Sequence, residues 1–65
     1  MKLSELLVAC DNLKLSDMVA VHVDNKESSL HHVDWWLANE ESYKLSVKCF
    51  YLREDGLCVV SAEEL

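Results

Sequence analysis

The chain holds one glycine and no proline, and that glycine, Gly56, follows Asp55 between two apolar runs. The runs are "KLSVKCFYL" (44–52) and "LCVV" (57–60), with "REDG" between them. Glycine takes φ > 0 without a Cβ clash, so Asp55-Gly56 is the strongest turn signal in the sequence and predicts a β-hairpin. A two- or four-residue loop would set Leu45, Val47, Cys49 and Tyr51 on one face with Cys58 and Val60. Phe50, Leu52, Leu57 and Val59 would then share the other face with Ser46 and Lys48, and a three-residue bulged loop would change the partition. Either way both faces are apolar near the turn: one can pack on a first helix, and the other is either covered by the short helix around Trp35 and Trp36 or left open to a partner.

The cover for one face is legible at the start of the chain. Leu3, Leu6, Leu7 and Cys10 recur at i, i+3, i+4 and i+7, the spacing of a helix with one apolar side. Ser4 and Glu5 suit its unpaired first N–H groups, and Asp11-Asn12 favours a turn after it. So short a helix does not persist alone and must dock on the sheet.

"MVAVHVD" (18–24) alternates as a strand, with Val19, Val21 and Val23 on one side and Met18, Ala20, His22 and Asp24 on the other. A polar turn, "DNKESS", leads to "LHHV" as the return strand of a first hairpin. In "DWWLANEES" Asp34 is placed to cap a short helix, with Leu37 pinning it to the sheet. The expected architecture is α+β, one domain over residues 1–65. A short N-terminal helix packs on an antiparallel sheet of two hairpins, with a short helix between them.

A chain of 65 residues buries only about 60% of its unfolded surface, so its core is marginal and a metal or a partner is a common supplement. Three cysteines without a C-x-x-C spacing do not read as a secreted disulfide framework and are expected to be reduced thiols. Neither a signal peptide nor a long apolar run is visible, so a cytoplasmic protein is expected.

Six Lys and Arg against twelve Asp and Glu give a formal charge of -6. A phosphate backbone repels such a surface, which argues against direct nucleic-acid binding and for a basic protein partner. No phosphate loop, nucleophile elbow or triad pattern is present, and little room for a substrate pocket is expected, so no enzyme is expected.

Two constellations remain. His22 and His31 would lie opposite one another if residues 25–28 formed a four-residue loop. Both imidazoles could then reach one zinc ion, with Asp24 or a cysteine of the second hairpin completing the shell. His32, one residue on, would point to the other face. The second constellation is Trp35-Trp36. On a helix the two lie about 100° apart, so one faces the core and the other the surface. An exposed tryptophan rimmed by Asp34, Glu40 and Glu41 fits a basic partner, and the apolar face carrying Phe50 extends the candidate contact surface to that partner or to a second copy in a homodimer.

In its length, its -6 charge, the opening "MKLSELL" before a β-rich remainder and the lack of a catalytic motif, the chain resembles the short acidic anti-CRISPR proteins of phages and mobile elements. The resemblance implies stoichiometric inhibition, with the protein occupying a basic channel or a subdomain of a CRISPR effector nuclease. Some proteins of that type hold a structural metal. The other reading is a small structural interaction module, with or without zinc, that inhibits nothing.

Overall fold

The computed structural model describes all 65 residues. Helix α1 (Leu3–Ala9) is followed by strands β1 (Met18–Val23) and β2 (Ser29–His32), helices α2 (Val33–Ala38) and α3 (Glu41–Lys44), and strands β3 (Leu45–Leu52) and β4 (Cys58–Glu64). Both expected hairpins form: β1 pairs with β2 and β3 with β4, each antiparallel. The join between them is parallel, β1 against β4, and the sheet order is β2-β1-β4-β3. The sheet is therefore mixed rather than wholly antiparallel. Its cause is the α2–α3 link, which leaves the chain at one edge of the sheet and returns it at the other. Strand β4 must then fold back inside, against β1.

The helices lie together on one face. Burial alternates along β1 and β4, with Val19, Val21, Cys58, Val60 and Ala62 buried under the helices. Leu3, Leu6 and Leu7 of α1, Val33 and Trp36 of α2, and Leu45 complete one core. The opposite face of the sheet has no helix on it.

The helix starts are satisfied by an expected side chain at α1 and by backbone at α2. The Lys2 backbone N–H donates to Glu5 Oε1 at 2.9 Å, which ties down the entry to α1. Met1 and Lys2 run on as a short extra edge beside β3: Lys2 bridges Ser46, and Val47 N donates to the Met1 carbonyl at 2.7 Å. Asp34 does not cap α2. It sits in the first turn, and the orphan N–H groups of Val33 and Asp34 donate to the carbonyls of Asp17 (2.9 Å) and Leu15 (3.1 Å). The loop before β1 thus caps the helix with backbone instead of a side chain.

Around Gly56, at φ 89°, Arg53 N donates to the Leu57 carbonyl at 2.8 Å, so the bonded loop has three residues. Lys48 is an extra residue in β3: Val47 lies opposite Ala62 and Cys49 opposite Ser61. This bulge reverses the facing of the rest of the strand. Leu45 and Val47 do face the core with Cys58 and Val60, as expected. Phe50 and Leu52 join that side, opposite Val60 and Cys58. Cys49 and Tyr51 turn to the open side with Ser61 and Val59.

Candidate interaction surface

The geometry of the two constellations follows from the register of the first hairpin. Val19 lies opposite His31 and Val21 opposite Ser29, with Met18 opposite His32 and Ala20 opposite Leu30. His31 therefore faces the helices, while His22 and Asp24 belong to the open face. The two imidazoles expected to share an ion lie on opposite sides of the sheet. His22 Nδ1 is hydrogen-bonded to Ser28 Oγ at 3.0 Å, and Lys48 Nζ donates to Asp24 Oδ2 at 2.8 Å. No three His, Cys, Asp or Glu side chains converge anywhere in the structure. The proposed set of His22, His31 and Asp24 is not assembled. The reason is a register three residues away from the assumed four-residue loop, with Asn25 at φ 65° in a turn closed by Lys26 N to the Val23 carbonyl.

What the register builds instead is an aromatic cluster. His31 stacks on Trp35 with ring centroids 3.5 Å apart and planes 12° apart. Both rings meet Trp36 edge to face, His31 at 5.4 Å and Trp35 at 5.0 Å. Trp36 is 1% exposed, and its Nε1–H donates to the Val19 carbonyl at 3.1 Å. Trp36 is thus a core residue and cannot meet a partner. Trp35 keeps 36% of its surface exposed while His31 holds its ring in place. Asn39 Nδ2 donates to the Trp35 carbonyl at 2.8 Å, which fixes the end of α2 beneath it.

No protein-family model, curated protein or solved structure matches the chain.

The remaining residues of the expected surface are divided. Asp34 and Glu40 are exposed, Asp34 next to Trp35 on α2 and Glu40 before α3, where it pairs with Lys44 at 3.5 Å. Glu41 lines a cleft of about 490 Å³ together with Val23, Trp36, Leu45 and the Lys26–Glu64 ion pair. A cleft of that size is more room than the length of the chain suggested; Lys26 and Glu64 pair with each other in its lining, while Glu27 and Glu41 there have no cationic partner. Phe50 is exposed on β3, the edge opposite β2 and α2, and does not join the tryptophan cluster.

Four ion pairs, Lys26–Glu64, Lys44–Glu40, Lys48–Asp24 and Arg53–Asp55, engage all the cations except Lys2 and Lys14. The hydrogen bond to Asp24, reinforced by its charge, raises the Lys48 ammonium pKa, and Glu64 does the same for Lys26. Eight carboxylates then have no cationic side-chain partner, Asp34 and Glu41 among them. The excess negative charge is thus presented outward. No helix is long and apolar enough to cross a membrane.

The three thiols differ. Cys49 is exposed, Cys10 half-buried and Cys58 buried, and burial pushes the Cys58 thiol pKa up, with Cys10 adding to the effect. A thiol reagent should modify native protein first at Cys49, and Cys58 only on unfolding. A folded pKa above the unfolded one contributes stability that is fully present below the ordinary thiol range and is lost as pH rises through the folded value. The melting temperature of a Cys58→Ser variant, measured from neutral to alkaline pH, should therefore fall less steeply than that of the parent. Equal slopes would remove Cys58 from the alkaline loss.

Proposed function

We propose that the chain is a non-catalytic, acidic protein-binding module that docks on a basic surface of a partner, with Trp35 as its anchor. The observation that carries this reading is the pinned and still exposed Trp35 ring beside Asp34. Trp and Tyr dominate binding hot spots because they bury a large area at little entropic cost, and a ring already held by a neighbour loses less freedom on binding. The unpaired carboxylates supply the complement to a cationic groove. This agrees with the likeness to anti-CRISPR proteins, and the partner class is a cytoplasmic nucleic-acid-binding effector nuclease whose basic channel is blocked.

Titration of guide-loaded CRISPR effector nucleases with the purified chain tests the reading. Cleavage should stop at a fixed stoichiometry, and Trp35→Ala should weaken binding by about thirtyfold, the scale of a hot spot of ~2 kcal/mol. Asp34→Lys should slow association and flatten its salt dependence, since exposed charges are screened beyond about 8 Å at physiological ionic strength. Binding indifferent to both Trp35 and salt would leave only an interaction module of another kind. Absence of inhibition would remove the inhibitor reading altogether.

A further inference from the structure

The face of the sheet without helices carries an unbroken apolar row. Register places Leu30 of β2 beside Ala20 of β1, Ala20 beside Val59 of β4, and Val59 beside Tyr51 of β3, so one residue from each strand lies in line across the sheet. Leu30 is 53% and Tyr51 58% exposed, and the smaller Ala20 and Val59 between them are half-buried. The central pair, β1 with β4, is parallel. All-parallel sheets are normally covered on both faces, whereas antiparallel sheets tolerate water on one. Here the parallel pair has a helix layer on one face only.

We propose that this face is a self-association surface on which a second copy of the chain packs sheet against sheet. Charge selects the occupant. The row itself, and the His22–Ser61–Cys49 line beside it, carries no carboxylate or ammonium group. Charged groups flank it: Glu63 and the Asp24–Lys48 pair toward one end, Asp17 and the Arg53–Asp55 pair toward the other. Two chains of charge -6 repel through their acidic surfaces. The uncharged middle of this face is where that repulsion is least, and a basic partner finds nothing there to pair with.

The two longer dimensions of the molecule, 26 and 22 Å, cap the footprint at about 570 Å² per copy and a sheet-on-sheet dimer at roughly 1,100 Å², so a dimer must use the whole face to reach the ~1,000 Å² of a specific interface. A two-fold axis along the strands would set Leu30 of one copy over Tyr51 of the second and Ala20 over Val59. Large residues would then meet at the margins and small ones at the centre, where two sheets can approach closest.

Sedimentation equilibrium of the full chain over a wide concentration range tests the proposal independently of any partner. A monomer–dimer equilibrium is expected. Leu30→Lys and Tyr51→Lys should each raise the dimer Kd by at least about tenfold. Both positions are exposed, so far-ultraviolet circular dichroism and thermal unfolding should report an intact fold in each variant. Trp35→Ala, on the helix side, should leave the dimer unchanged. A monomer at every concentration, or a dimer that survives both lysines with its Kd unaltered, would overturn the proposal.

Discussion

Trp36→Ala should cost the chain more stability than any other single substitution. The ring is the largest buried side chain of a core with eleven members, and removing a buried tryptophan costs about 3–5 kcal/mol. A domain of this length has a total stability of only roughly 3–10 kcal/mol at the usual per-residue value. The loss also takes away the donor to the Val19 carbonyl and the edge-to-face support of both His31 and Trp35. Trp36→Phe separates these terms. It keeps most of the apolar area and forfeits the indole hydrogen bond, so it should remain folded and lose about 1–3 kcal/mol. Urea unfolding followed by circular dichroism reads both variants. A folded Trp36→Ala protein of near-parental stability would mean that the indole is not the centre of this core.

Leu3→Ala should be the next most damaging substitution, at about 2–5 kcal/mol, because Leu3 is fully buried at the first turn of α1. Val8, on the same helix, is 72% exposed, and Val8→Ala should change stability by no more than about 0.5 kcal/mol in either direction. Both variants shorten an aliphatic side chain on one seven-residue helix, so the contrast between them reports which side of α1 meets the sheet. Comparable losses in urea midpoint would show that the helix is rotated from the face described.

How much of this was legible in the sequence depended on how local the cause was. The period of Leu3, Leu6 and Leu7 placed α1 and its buried side. The alternation of Val19 and Val21 placed β1, and Asp55-Gly56 placed the second turn. The 100° step of a helix separated Trp36 from Trp35, although only the structure says which is inside. The first hairpin's register was not legible. "SLHH" offers a single aliphatic residue, so no apolar pattern fixes which way β2 faces, and "DNKESS" contains no two-residue turn signal to fix it from the loop. His31 settles the matter by packing on the tryptophans, a contact made through the following helix. The bulge at Lys48 has no glycine to announce it and reversed half of the predicted facing of β3. The capping of α2 by the Asp17 and Leu15 carbonyls was equally hidden, since any residue can offer a carbonyl.

The parallel join of β1 and β4 also bears on how the chain reaches its structure. Each hairpin closes a short loop, and such closures are fast and entropically cheap. Pairing Val19 with Cys58 and Val21 with Val60 joins residues 39 apart in a chain of 65. Contacts so distant in sequence form slowly, because the loop must be ordered before the pairing rewards it. Yet the same strands carry the centre of the core, so neither hairpin can bury its own apolar side without the other. The two halves are therefore mutually dependent, and folding should be all-or-none: a fragment holding either hairpin alone has no core to complete.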